Sequence, residues 1–328
     1  MRVKLSDQVK SVGEKLVYRI EATEDFTTIT GQKIQKGDRG GWVSGIHNIS
    51  GSSAWIADEA MVLDSSIIFG SAYVGNRVSV LKGAQVRDNA IISGEAVIDN
   101  HATVSGNAIV KDKALVSDWA TVTDQANVSG ACTINGYAIV KEDAKVEGGA
   151  MITGRSTIGG SSVISDQALV KDRAIVSGST RITHEAQVYG DATIKGENLV
   201  CNTAKVYDLT ELRGKAIIGG NARIAGRSLI EGDARITEDA TFRNATISSN
   251  KDYLVFRKTW CIGNSIIWTK ANNSWSDGSF FGSGTNLILR GYSNSEECGK
   301  YYESFVKIVN EAYEFPERLR KKRFNISL

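Results

Sequence analysis

The sequence predicts an all-β solenoid. Three observations carry that expectation: a six-residue period repeated 32 times without insertion between Ala54 and Phe242, an aliphatic or aromatic residue at the third place of every period, and a turn former two places later. The third place is Val or Ile in 30 of the 32 hexads, with Leu212 and Phe242 the exceptions. The fifth place holds 15 Gly, nine Asp and four Asn, and only Lys82, Glu142, His184 and Glu238 depart from that set.

Side chains alternate along a strand, so the first and third residues of a hexad share one face. The small first residue (Ala54, Ala60, Ser66, Ala72) and the aliphatic third (Ile56, Val62, Ile68, Val74) therefore point inward together. Gly, Asn and Asp tolerate the left-handed backbone that a sharp corner needs. Three sides of six residues make an 18-residue triangular rung, and about 11 rungs stacked roughly 4.8 Å apart bury a column of Val and Ile on the order of 50 Å long. Apolar spacing of six fits neither an amphipathic helix nor a coiled coil, and Gly or Asp at every sixth place would break both.

Residues 1–46 carry no hexads. Alternating apolar residues in Lys15–Ala22, a Gly-rich turn at Lys36–Gly41 and the pair Trp42-Val43 are expected to cap the open strand edge of the first rung. The coil occupies residues 47–248, and composition shifts after it. Within 249–328, Asp252–Phe256, Ser265–Thr269 and Ser279–Phe281 read as three antiparallel strands separated by Gly, Asn and Asp. A helix beginning at Ser295-Glu296-Glu297 follows, with an apolar stripe of Tyr301, Tyr302, Phe305, Ile308, Val309 and Tyr313, and Pro316 is expected to end or kink it. This end forms a small α+β module.

An aliphatic residue followed four places later by Ala or Ser resembles the signature of hexapeptide-repeat left-handed parallel β-helices. The likeness spans roughly residues 54–248 and implies a left-handed coil. Leu16-Val-Tyr-Arg-Ile-Glu-Ala22 and Lys36-Gly-Asp-Arg-Gly-Gly-Trp-Val43 also resemble the start of a bacterial and prophage-associated family of such proteins, of the YdcK type. The C-terminal module is similar to one carried by the same family. Its members are mostly uncharacterised, or named transferases on account of the repeat, and the fold itself serves enzymes, ice-binding proteins and structural solenoids alike.

A net charge of +2 gives no pull toward nucleic acid or an acidic membrane surface. No apolar run approaches a membrane span and the start is not a secretory signal, so the expected compartment is the cytoplasm. Cys132, Cys201, Cys261 and Cys298 stand apart from one another, with Cys132 at an inward small-residue place. No His, Cys and carboxylate cluster has ligand spacing, and on two corners read at the rung spacing (Asp58, Asn76, Gly94, Asp112, Gly130, Gly148 and Asp64, Lys82, Asn100) no two carboxylates are adjacent, so no metal is assigned.

Acyltransferases of the resembled class place a histidine near a loop that leaves the coil, with the acyl-donor cleft between subunits. On that reading His184 or His101 is the general base and acetyl-CoA or a related acyl donor the co-substrate. No loop interrupts the hexads, and the leading expectation is a non-enzymatic oligomeric scaffold or binding protein with no cofactor. Outward second places one rung apart form stripes, and one of them, Val97, Leu115, Thr133, Met151 and Leu169, is mostly apolar. Such a patch marks an association surface, expected here to build a homotrimer as in many relatives of the fold. Another outward stripe, Ile67, Gln85, Thr103, Thr121, Ile139, Thr157, Ile175 and Thr193, is flat and β-branched. Trp260, Trp268 and Trp275 are expected in the core of the C-terminal module, the alternative being a recognition surface. The basic run Arg318, Arg320, Lys321, Lys322 and Arg323 is either a solvated end or a contact for an acidic partner.

Overall fold

A computed structural model of the chain describes residues 2–256 and 265–323, with side chains as far as Tyr313. It is a parallel β-solenoid of about 11 turns. Each of its three faces contains 11 short strands in sequence steps of three, so each strand hydrogen-bonds the strand one full coil before and after it. We call first the face bearing Met61–Val62 and Ser79–Val80, second the one bearing Ile67–Ile68 and Gln85–Val86, and third the one bearing Tyr73–Val74 and Ile91–Ile92. Register advances by one full rung without a slip through most of the coil, as in Val97↔Leu115 and Thr103↔Thr121. The last rung is one residue shorter, so Leu229 pairs with Thr246.

The corners explain the fifth place of the hexad. From Asp58 to Asn244 in steps of six, all 32 residues have positive φ, the Lys, Glu and His exceptions included. At Gly94 the need is double, because φ is +77° and an added Cβ would lie 2.7 Å from the Asp112 amide nitrogen of the next coil. Aspartate corners do something glycine cannot. The carboxylates of Asp88, Asp112, Asp118, Asp124, Asp172 and Asp208 each accept the backbone N–H of the corner residue one rung on, at 2.9–3.1 Å. A backbone donor at the corner is thereby satisfied by the coil beneath it.

The interior is a stack of fully buried Ala and Val or Ile. At six inward places where a polar residue replaces Ala, the side chain turns back to a backbone carbonyl three residues earlier: Ser156 donates to Thr153, Ser162 to Gly159, Thr180 to Ser177, Asn198 to Lys195, Thr210 to Tyr207 and Ser228 to Ala225, while Ser66 accepts the Gly83 N–H. Each of these buried side chains thus has a partner, which removes the cost of leaving it dry.

Both ends of the column are covered. Arg39–Val43 pairs in parallel with Met61–Val62, and the antiparallel strands Val3–Val12 and Lys15–Ala22 extend the first-face sheet beyond it. Gly40 and Gly41 belong to that strand, not to a turn. The reason is room: an added Cβ at Gly41 would lie 2.5 Å from the Ala60 carbonyl oxygen. At the far end Tyr253, Val255 and Ile267 pack on the column, Tyr253 edge-on to Phe242 at 5.2 Å.

The C-terminal module differs from expectation in three ways. Its sheet has four strands, not three, since Ser274–Ser276 pairs between Ile266–Thr269 and Phe281–Gly282. That strand was hidden because Ser-Trp-Ser is too short for alternation to register. A helix, Gly284–Asn294, precedes the expected one. Gly, Asn and Ser give it poor intrinsic propensity, and it forms on an N-cap from Ser283 to the Asn286 amide and on burial of Leu287 and Gly291. The second helix, Glu296–Arg323, continues through Pro316 instead of ending there. Proline removes one N–H from the ladder, and the turns on either side supply the rest.

Inward and outward residues of one strand should respond oppositely to truncation. Ile158→Ala, at a fully buried position, is expected to lower stability in a urea titration by about 2–4 kcal/mol. Thr157→Ala, its outward neighbour, should stay within about 0.5 kcal/mol of the parent.

Candidate functional site

An interior filled with side chains leaves no lumen, so chemistry or recognition must sit on faces, corners or ends. On the first face, Val97, Leu115, Thr133, Met151 and Leu169 occupy consecutive rungs in exact parallel register. Met151 is 45% exposed and the other four are half-buried by their neighbours along the stripe. The stripe gives way to Gln187, Lys205 and Arg223 toward the C-terminal end. An Arg77–Glu95–Lys113 ion-pair ladder flanks it on the corner with the third face.

His184 and His101 stand on different corners. His184, at φ +59°, lies where the third face turns into the first, and its backbone N–H donates to Asp166 Oδ2 at 2.9 Å. Its ring Nδ1 is 3.0 Å from Thr183 Oγ1. With Glu147, Ser165 and Arg181 it lines a shallow groove of about 560 Å³. His101 lies where the first face turns into the second, in a two-residue left-handed corner with Asn100. Its ring stacks on Trp119 of the next rung, centroids 4.6 Å apart and 9° from parallel. The structure therefore does not bring the two histidines together, and each has a neighbour that sequence reading did not identify. Both neighbours were detectable, Thr183 as the residue one place before and Trp119 as the residue one rung after.

Among the described residues the most buried charge is in the C-terminal module. Asp277 is 1% exposed and accepts from Arg290 Nε at 2.8 Å and from the Ser279 and Phe280 amides at 3.0 and 2.7 Å. Burial, the largest single influence, raises its pKa, but the Arg290 bond and the two amides together outweigh it and hold the carboxyl below its ordinary value of 3.8. Asp277 and Ser279 line a cleft of about 330 Å³ shared with Asn221, Arg223, Asp239 and Thr241 of the last coils. In the sequence Asp277-Gly278 reads only as one of the Gly, Asn and Asp separators between strands, because Arg290 sits on the unexpected helix Gly284–Asn294.

Trp268 and Trp275 are 3% and 2% exposed and belong to the module's core with Leu287, Tyr302 and Phe305, not to its surface. Trp260 and Cys261 lie outside the described residues. Arg318, Arg320, Lys321, Lys322 and Arg323 fall on the second helix, their side chains outside the described part. Cys132 is fully buried, and desolvation pushes its thiol up to about 11, so it is an inert core residue. Among the described residues no group of three or more His, Cys, Asp or Glu could hold a metal ion, and no helix is long and apolar enough to cross a membrane.

The class the fold defines is a parallel β-solenoid capped at both ends. No protein-family model matches the chain, and no curated protein matches it in sequence. The resemblance to hexapeptide-repeat proteins therefore rests on the period and the coil.

The depressed pKa of Asp277 sets a direction for pH dependence. The stability it contributes is present above the ordinary aspartate value of 3.8 and is lost as pH falls below it. Near-UV circular dichroism, which reads the buried Trp268 and Trp275, should show the module loosening on acidification below about pH 4. Asp277→Asn should lower stability at pH 7 by about 2 kcal/mol and flatten that acid response.

Proposed function

We propose that this protein is a non-enzymatic scaffold or binding protein that assembles into a homotrimer by packing its first faces in parallel. The observation that carries the proposal is the stripe Val97, Leu115, Thr133, Met151, Leu169, held in register on a flat parallel sheet. Contiguous apolar surface on a rigid face favours association, and a heterologous contact that closes gives a ring of identical subunits. The Arg77–Glu95–Lys113 ladder beside it supplies a charged rim, the usual border of an apolar interface. Light scattering of the full chain should give a trimer mass, and Leu115→Glu with Met151→Glu should give a monomer of unchanged fold. A monomeric parent would overturn the proposal.

A second reading, acyl transfer from acetyl-CoA, is favoured by one observation: the His184 ring shares its groove with Glu147 and Arg181. With Nδ1 beside the Thr183 hydroxyl, proton transfer to an acceptor would fall to Nε2, and Arg181 would meet an anionic donor. In calorimetric and thermal-shift titrations with coenzyme A and acetyl-CoA, this reading requires saturable binding that His184→Ala abolishes, or His101→Ala if that ring is the base. The scaffold reading expects no stabilisation at millimolar ligand.

A further inference from the structure

The corner between the first and second faces carries a column of outward side chains of which only His101 enters either reading. In successive rungs it presents Gly83, His101, Trp119, Tyr137 and Arg155. The His101 ring lies over Gly83, where an added Cβ would fall 3.1 Å from Cδ2, and stacks on Trp119 at 4.6 Å. The Arg155 guanidinium lies over the Tyr137 ring at 5.7 Å. Trp119 and Tyr137 are nonetheless 56% and 57% exposed. So much aromatic surface left in water contributes little to the fold, and large exposed apolar groups in contiguous array mark recognition sites.

We propose that this edge binds a neutral glycan, one pyranose ring of which enters the groove between the face of Trp119 turned away from His101 and the face of Tyr137 turned away from Arg155. The apolar C–H face of a pyranose matches the electron-rich face of an aromatic ring. Polar partners stand beside the rings: Asn100, Asp118, His101 and the two aromatics line one groove of about 390 Å³. Asp118 accepts the Gly136 amide through Oδ2 at 3.1 Å and keeps a second carboxylate oxygen for a sugar hydroxyl. The charge pattern separates this partner from single-stranded nucleic acid, which also stacks on aromatics. Phosphate neutralisation needs a run of available cations. Here Arg173, next in the column, is held by Asp191 at 2.6 Å, and Asp118 and Asp172 occupy the adjoining corner places.

The glycan proposal goes beyond the scaffold reading, and its failure would leave assembly through the first face untouched. The test is affinity electrophoresis of the full chain in native gels containing dextran, laminarin, hydroxyethylcellulose or alginate, with a dT20 oligonucleotide assayed in parallel. At least one neutral polysaccharide should retard the protein. The double variant Trp119→Ala, Tyr137→Ala should bind it roughly tenfold more weakly. A double Tyr189→Ala, Tyr207→Ala variant, which removes another stacked pair, should bind like the parent. A polysaccharide-induced shift of tryptophan emission, present in the parent and absent in Trp119→Phe, reads the same contact without truncating the ladder. Retardation by none of the neutral polysaccharides, by alginate alone, equal binding by the alanine double variant, or binding of dT20 in their place would each overturn the proposal.

Discussion

Everything in this molecule depends on the backbone turning through a left-handed residue at every sixth position. Each rung closes over its predecessor only because that turn recurs three times per coil, and strand register, inward packing and the flatness of the faces follow from the closure. The strictness shows in the exceptions. Lys82, Glu142, His184 and Glu238 adopt the same positive φ as glycine, at a steric cost that non-glycine residues ordinarily avoid. They can do so because hydrogen bonds from the coils above and below hold the corner. The His184 amide donates to Asp166, and the Glu142 amide donates to Asp124 while the Glu142 carboxylate accepts from Gly160. That last bond is the main reason the Glu142 carboxyl lies below its usual range.

The corner carboxylates couple neighbouring rungs in a way the buried column alone does not. Burial of Val and Ile is indifferent to small slips along the axis, whereas an Asp that accepts the corner amide of the next rung specifies one register. Hydrogen bonds at the rim and apolar contacts in the column thus divide the labour, the first giving uniqueness and the second most of the free energy. Such an arrangement is open at both ends, and its ends are chemically different. At the start a parallel strand with two glycines is pressed against the first rung. At the finish an aromatic module, tied by Tyr253 and by the Asn272 amide to the Asn244 carbonyl, closes the column.

The coil was legible in the sequence because its physics is local and repeated. The inward places, the corner places and the stripe Val97 to Leu169 follow from the hexad pattern alone. The C-terminal module was less legible because it is built once. Its helix Gly284–Asn294 depends on a cap and two buried contacts, and Asp277 acquires its character from an arginine on that helix, well separated along the chain. The column of His101, Trp119 and Tyr137 was missed for another reason. It occupies the sixth place of every third hexad, at the shoulder of a corner, whereas strand alternation directs attention to the second place. Reading every place at the rung spacing would have displayed it.

A solenoid of this kind offers partners a constraint as well as a surface. Side chains that repeat along the axis repeat at the rung spacing, so an edge or face selects partners that are flat, linear or themselves periodic. In the proposed assembly the first face would meet that condition with another copy of itself, a mostly apolar stripe over five rungs against a matching array. The aromatic corner would meet it with the proposed glycan. The two sit around the bend from each other on the same rungs, Leu115 with Trp119 and Thr133 with Tyr137. Packing of first faces toward a shared axis would direct each aromatic corner away from it, so assembly would multiply the ladder around the rim. Weak contacts repeated around one axis bind a polymer far more tightly than any single contact does, which would give the proposed oligomer a purpose that the stripe alone does not explain.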